Sequence, residues 1–194
     1  MQVKKEEIRL KILETAADEF LKKGYENASM RTIAKKAHTT IGNIYHYYQN
    51  KEVLLETILM PTIENIETMM QLHINNERTT PISKEMAFEY VEHLDEYFEQ
   101  SELMCFLDKK IVILLKLESS RLLERKENIL KLLKEHLQEH FKLNDDAHYT
   151  DLVFNMLAEC VKHVLIEHQD PAEAKAEFIK FFRLLCTGIV GQIN

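Results

Sequence analysis

The stretch from Ser29 to Lys51, SMRTIAKKAHTTIGNIYHYYQNK, decides the fold of this chain. It consists of two short helical patterns on either side of a tight turn. Ser29 is suited to cap the first pattern, and Thr39 or Thr40 the second, because hydroxyl oxygens accept hydrogen bonds from the free amides at a helix start. The spacing predicts a helix-turn-helix unit, in which the second helix lies in the major groove of DNA.

The second helix of this unit carries small, amide-bearing and aromatic residues where a solvated helix would carry charge. Asn43 can make a bidentate contact to adenine, and Ile41 can meet a thymine methyl group. Tyrosine and histidine side chains can donate hydrogen bonds to phosphate oxygens, and Lys51 adds a positive charge. Gly42 either lets the DNA backbone approach closely or allows close packing between helices. The candidate DNA-binding residues are Ser29, Thr39, Thr40, Ile41, Gly42, Asn43, Tyr45, His46, Tyr47 and Lys51.

The net charge of −7 is unevenly distributed along the 194 residues. Residues 1–50 carry a balance of +3, whereas the remaining 144 residues carry −10. A basic N-terminal region followed by an acidic remainder is typical of a protein that contacts phosphates at one end only. We therefore predict two domains, a helix-turn-helix DNA-binding domain over residues 1–50 and a second domain over residues 51–194.

The rest of the chain is a succession of amphipathic helical patterns. With 4 Gly and 3 Pro, the sequence has few residues that favour hairpins, so we predict an all-α fold of about nine helices. The expected helices cover residues 6–23, 30–37, 40–48, 51–75, 82–100, 103–117, 119–141, 146–169 and 171–192. Three widely spaced cysteines, no apolar signal-peptide core and no long apolar run indicate a cytoplasmic protein with free thiols.

The first 60 residues resemble the TetR family of bacterial transcriptional regulators. The resemblance runs from ILETAADEFLKKGYENASMRTIAKKA through TTIGNIYHYYQNKEVLLETIL. It implies an all-helical subunit, a homodimer, and a larger C-terminal domain for effector binding and dimerisation. By position, Ile41, Gly42 and Asn43 would face bases. The residues that would hold phosphates are Tyr45, His46, Tyr47 and Lys51. His38 departs from the family, which usually has glycine at this turn.

The C-terminal residues predict a dimer interface and, through the resemblance, an effector cavity. Two helical segments carry apolar stripes wide enough to bury against both their own subunit and a second copy. The candidate interface residues are Met156, Cys160, Val164, Phe182, Cys186 and Ile189, with ordinary monomer core as the alternative. Flexible thioethers and aromatic rings suit an adaptable pocket for a small apolar effector. Its candidate residues are Met60, Met69, Met86, Tyr90, Met104 and Phe106, with plain packing as the alternative.

The main prediction is a dimeric repressor that binds a palindromic operator and is released by a small-molecule effector. Two other functions are alternatives to it. His136 and His140 match a zinc-peptidase spacing, H-x-x-E-H, which would make the chain a metallohydrolase. No third ligand accompanies them in their highly charged helix, so we expect no metal, no cofactor and no enzyme. The other alternative is a helical interaction module that does not bind DNA. Activation instead of repression also stays open.

Overall fold

The computed structural model describes residues 2–77, 84–100, 106–141, 147–168 and 170–190. Within these ranges the regular structure is ten α-helices, which confirms the all-α prediction. The helices are α1 (Gln2–Lys23), α2 (Met30–Lys36), α3 (Ile41–Tyr47), α4 (Lys51–Glu77), α5 (Lys84–Glu92), α6 (Leu94–Gln100), α7 (Lys109–Leu115), α8 (Leu123–Phe141), α9 (Ala147–Glu167) and α10 (Pro171–Val190). Candidate residue Met104, and the side chains of Met86, His140 and Ile189, lie outside the described part.

The chain forms two compact units, the first from Met1–Glu64 together with Lys109–Lys126. In this unit α1 packs against α2 and α7, and α2 packs against α3. Its core is built from fully buried aliphatic and aromatic side chains on these helices and on α4, among them Ile12, Phe20, Ile33, Ile44 and Leu55. The helix-turn-helix unit therefore has its own apolar support.

Local capping groups set several helix boundaries of this unit. Gly24 follows α1 with a φ of 76°, and its amide donates to Phe20 O at 2.9 Å. This left-handed stop is cheap for glycine, which has no Cβ. At the start of α4, Asn50 Oδ1 accepts a hydrogen bond from the amide of Val53 at 2.9 Å. Both caps follow directly from the local sequence.

The second unit consists of Asn65–Asp108 and Glu127–Asn194. Here α10 packs against α9, α5 and α6. The Phe178 ring lies 5.4 Å from that of Phe98 and 5.7 Å from that of Phe182, measured between centroids. A further buried cluster joins α8 to α9 through Leu137, Val153 and Phe154. The predicted division after residue 50 stays a prediction.

Some predicted helices differ from those observed. The segment predicted as one helix over 82–100 is divided at His93 into α5 and α6. The helix predicted over 103–117 is the shorter α7, which ends at Leu115. Lys126 Nζ donates to the carbonyl of Leu115 and to that of Leu117, which lies beyond the helix. The helix predicted from residue 119 begins at Leu123, because the amides of residues 118, 119 and 121 donate to distant carboxylates.

Candidate nucleic-acid interface

A left-handed residue joins α2 to α3. His38 has a φ of 52°, and its amide donates to Lys35 O at 3.2 Å. The amide of Thr39 donates to Ala34 O at 2.9 Å, which completes the paired hydrogen bonds of a Schellman motif. Glycine would adopt this conformation without the steric cost that histidine carries. The turn is thus defined by its hydrogen bonds despite an unfavourable residue.

Two threonine hydroxyl groups meet Asn43 at the start of α3. Thr40 is the N-cap, and its Oγ1 accepts from the backbone amide of Asn43 at 3.1 Å, which confirms the predicted cap. Thr39 Oγ1 accepts from Asn43 Nδ2 at 2.7 Å. At α2 the predicted side-chain cap is wrong, because Ser29 occupies the N-cap position and accepts from Ile33 N through its carbonyl only. Its exposed hydroxyl therefore stays a candidate for contact with DNA.

The α3 helix buries one side and exposes the other. Ile44 and, just after the helix, Tyr48 lie four positions apart and are both buried. Tyr45 is 47% exposed, and Gly42 and His46 are also exposed. A Cβ added at Gly42 would meet no atom within 4 Å, so close packing between the described helices does not explain this glycine. An open, mainly uncharged surface results, on which Ile41 and Asn43 are half-buried.

Tyr47 lies at the edge of this surface and contacts the first helix. Its hydroxyl group donates to the backbone carbonyl of Lys5 at 3.3 Å. Its ring lies 5.5 Å from His46 and 6.4 Å from Tyr48, measured between centroids. Tyr47 therefore connects the end of α3 to α1, and its predicted phosphate contact stays a prediction.

Lys51 is bound within the unit. Its Nζ donates to Tyr25 O at 2.7 Å and to Glu26 O and Ala28 O at 3.2 Å each. The same atom lies 4.5 Å from the centroid of the Tyr25 ring. An ammonium group has three hydrogens to donate, and here three carbonyl acceptors match them. The predicted phosphate contact stays a prediction, and it would require Lys51 to release one of these bonds.

Two glutamates hold the segment between α7 and α8. Glu26 Oε1 accepts from the amides of Glu118 and Ser119 at 3.1 and 2.9 Å. Glu52 Oε1 accepts from Ser120 Oγ at 2.5 Å and from the amide of Arg121 at 2.9 Å. We call Glu26, Glu52 and residues 118–121 the carboxylate clamp. It ties the α1–α2 turn and the start of α4 to a segment more than 60 residues further along the chain.

The hydrogen bonds of the carboxylate clamp change the acidity of its groups. Burial favours the protonated form of Glu52, but hydrogen bonds from Ser120, Tyr25 and the Arg121 amide outweigh burial and lower its pKa. For Glu26, hydrogen bonds from its own amide and from residues 118 and 119 likewise outweigh burial and lower the pKa. Burial and the hydrogen bond to Glu52 raise the pKa of Tyr25, whose hydroxyl donates to Glu52 Oε2 at 2.7 Å. These directions indicate two ionised carboxylates, each stabilised by several donors.

The carboxylate clamp was not found from the sequence. Tyr25, Glu26 and Glu52 lie within the segments that carry the family resemblance, but nothing in those segments indicates these contacts. Nothing in the segment LESSR, residues 117–121, indicates that its amides bind glutamates of the helix-turn-helix unit, because that proximity arises from tertiary packing.

The candidate effector residues occupy separate surroundings. Met60 Sδ accepts a hydrogen bond from Arg125 Nη1 at 3.0 Å, Met69 is buried, and Tyr90 and Phe106 are half-buried. An open groove of about 420 Å³ lies between α8 and α9, lined by charged residues together with Leu130, Gln138 and Thr150. None of the candidate residues lines this groove. The effector site stays a prediction.

The candidate interface residues whose side chains are described differ in burial. Met156 is 52% exposed, whereas Val164 and Cys186 are buried inside the subunit. Cys160 and Phe182 are half-buried. Tyr149, Leu152 and Ile166 of α9 and Leu184 of α10, which is 73% exposed, are further apolar side chains on the surface. A partner could therefore be contacted through Met156 and these additional residues, while Val164 and Cys186 support the subunit core.

The described part of the chain has no candidate metal site and no helix that could cross a membrane. No group of three or more His, Cys, Asp or Glu side chains there is arranged to hold a metal ion. None of the described helices combines the length and the apolar character that crossing a membrane requires.

Comparisons with known proteins agree with a helix-turn-helix interface. Residues 12–58 match the model for the family described as bacterial regulatory proteins, tetR family. The chain is 27% identical over 209 residues to YdgC, an uncharacterised HTH-type transcriptional regulator of Bacillus subtilis (strain 168), with 100% of this chain and 98% of YdgC covered. UidR, an HTH-type transcriptional regulator of Escherichia coli (strain K12), is 33% identical over 60 residues, which is 31% of each chain. A solved HlyIIR mutant shares the fold, with a TM-score of 0.52 at 21% identity over 91% of this chain and 96% of that one.

Proposed function

We propose that this chain, a DNA-binding transcriptional regulator of the TetR family, represses transcription by binding a palindromic operator as a homodimer until a small effector releases it. Its relatives are transcriptional regulators, and the protein is not an enzyme, which removes the metallohydrolase alternative. The observation that carries the proposal is the surface of α3, where Tyr45 and His46 are exposed around an unobstructed Gly42.

The proposed contacts divide α3 into base-reading and phosphate-binding parts. Asn43 and Ile41 read base edges, and Gly42 lets the backbone approach them. Tyr45, His46 and the hydroxyl groups at the helix starts bind phosphates and fix the register. The +3 balance of residues 1–50 supplies attraction to DNA that does not depend on sequence.

The proposed dimer brings two such surfaces onto one face of the duplex. Two recognition helices reach successive major grooves when they are about 34–36 Å apart. Apolar side chains on α9 recur three or four residues apart at Tyr149, Leu152 and Met156, and all three are exposed. Together with Leu184, these side chains would leave a large apolar surface in water unless a second copy covered them.

The proposed release by an effector acts through the carboxylate clamp. A shift of residues 118–121 would act directly on Glu26 in the α1–α2 turn and on Glu52 at the start of α4. Because binding free energies are reciprocal, operator binding should in turn alter the opening of residues 118–121. Hydrogen exchange at the Ser119 and Arg121 amides, with and without operator DNA, measures this coupling. Identical exchange in both states would contradict this route.

Selection of bound DNA from a random double-stranded pool tests the proposed function directly. We expect a palindromic consensus, and binding that weakens steeply as salt concentration rises. Absence of any preferred sequence would favour the alternative of an interaction module that does not bind DNA. A release screen on the selected operator, starting with small apolar compounds, then identifies the effector.

Sedimentation velocity tests the dimer independently of DNA. Leu184→Glu should convert the dimer to a monomer, because it places a charge on the proposed apolar interface. Leu132→Glu provides the matched control, since Leu132 of α8 is exposed but lies outside that surface. Dissociation by both variants, or by neither, would contradict the assigned interface.

A further inference from the structure

The side-chain carboxamide of Asn43 is hydrogen-bonded to a threonine in the turn that precedes α3. Thr39 Oγ1 accepts from its Nδ2 at 2.7 Å, and Thr40 Oγ1 accepts from its backbone amide at 3.1 Å. The first of these bonds is unnecessary for the N-cap, which Thr40 already provides. Its effect is to fix the direction in which the carboxamide nitrogen points.

The backbone of Thr39 is itself fixed. Its amide donates to Ala34 O at 2.9 Å as part of the Schellman motif that ends α2. The side chain is half-buried, and in the proposed DNA contact its hydroxyl hydrogen is donated to a phosphate oxygen, which leaves Oγ1 as an acceptor for Asn43. The acceptor therefore lies at a defined place relative to α3.

We propose that Thr39 is a positioning residue that sets base specificity through Asn43. The carboxamide has two orientations, related by a half-turn that exchanges Oδ1 and Nδ2, and Thr39 holds it in the one with Nδ2 towards the turn. This inference rests on the proposed function, since it assumes that α3 reads bases. Thr39 accepts the hydrogen bond from Asn43 and need not contact a base itself.

The chemistry of the bases makes this orientation matter. With one N–H bound to Thr39, Asn43 keeps a second N–H and the Oδ1 acceptor for DNA. Adenine offers N7 as an acceptor and N6–H as a donor in the major groove, whereas guanine offers two acceptors there. A fixed carboxamide places Nδ2–H opposite adenine N7 and Oδ1 opposite N6–H. A carboxamide that flips freely spends part of its time with these two groups exchanged, so that neither matches adenine. Loss of the Thr39 acceptor should thus reduce discrimination more than it reduces general binding.

The test compares the selected operator with a version in which the adenine read by Asn43 is replaced by guanine. Thr39→Val replaces the hydroxyl by a methyl group of similar size and should lower the affinity ratio of the two DNAs about threefold to tenfold. Thr39→Ser keeps the hydroxyl and should restore the ratio to within about twofold of the original. Melting temperatures of both variants are recorded, because a purely structural role would lower stability and leave the ratio unchanged. That outcome would overturn the proposal.

A double-mutant cycle with Asn43→Ala decides whether Thr39 acts through Asn43. With Ala at position 43, Thr39→Val should change the ratio by less than about twofold, since no carboxamide remains to orient. An equal fall in both backgrounds would mean that Thr39 itself contacts the base, and the proposal would be wrong. If the unmutated protein selects no DNA sequence at all, the proposed function fails and this inference fails with it.

Discussion

Replacing Lys51 by Met separates a structural role of this residue from a phosphate contact. Methionine keeps an unbranched, apolar stem over the Tyr25 ring and removes only the ammonium group, which donates to three carbonyls between α1 and α2. Hydrogen bonds to charged groups contribute about 1.5–3 kcal/mol each. Because the site is half-buried, water replaces part of this interaction. We expect Lys51→Met to lower the free energy of unfolding by about 2–4 kcal/mol.

Urea unfolding followed by tyrosine fluorescence measures this change, since the chain has 7 Tyr and no Trp. Lys11→Met is the matched control, because Lys11 is an exposed lysine of α1 and the same charge is lost. It should alter stability by less than about 0.5 kcal/mol. A phosphate contact predicts a different result, namely unchanged stability and a fall of about one in the slope of log affinity against log salt. That result for Lys51→Met would refute the structural role.

Three further predictions concern strain, acidity and thiol reactivity. His38→Gly should raise the free energy of unfolding by roughly 0.5–1 kcal/mol in urea titrations, because it relieves a φ of 52°, and a loss would argue against that conformation. Because folding lowers the pKa of Glu52, this carboxylate stabilises the fold above the pKa of about 4.3 that a Glu side chain has in the unfolded chain. That stability is lost as the pH falls below this value, so Glu52→Gln should reduce the drop in melting temperature between pH 6 and 3.5. Equal falls would contradict this. Burial raises the pKa of Cys160 to about 11 and of Cys186 to about 12, so mass-mapped alkylation at pH 8 should label both only after unfolding.

The local caps could be predicted from the sequence, because each depends on residues within four positions of it. Gly24 ends α1 because glycine adopts a positive φ at low cost, and the side-chain oxygens of Thr40 and Asn50 cap α3 and α4. Ser29 was predicted by the same reasoning and makes no side-chain cap. A residue type thus indicates where a cap can form, while the side-chain rotamer decides whether it does.

Longer-range features could not be predicted in the same way. The carboxylate clamp joins Glu52 to residues 120 and 121, and no periodicity connects positions so far apart. The sequence predicts apolar stripes on α9 and α10, but the width of each stripe does not indicate which side faces the subunit core. Met156 is exposed whereas Val164 is buried, although both belong to one stripe at helical spacing. The period of a helix identifies a face without telling which neighbour covers it.

The first compact unit takes residues 109–126 from far downstream of the helix-turn-helix segment. During synthesis, the ribosome must release this later segment before the unit can complete its packing, so the DNA-reading end of a nascent chain stays unfinished until then. The same connectivity bears on chimeric regulators. A graft of the first 64 residues onto another sensory body leaves Glu26 and Glu52 without their backbone partners, whereas a graft that also carries residues 109–126 preserves them.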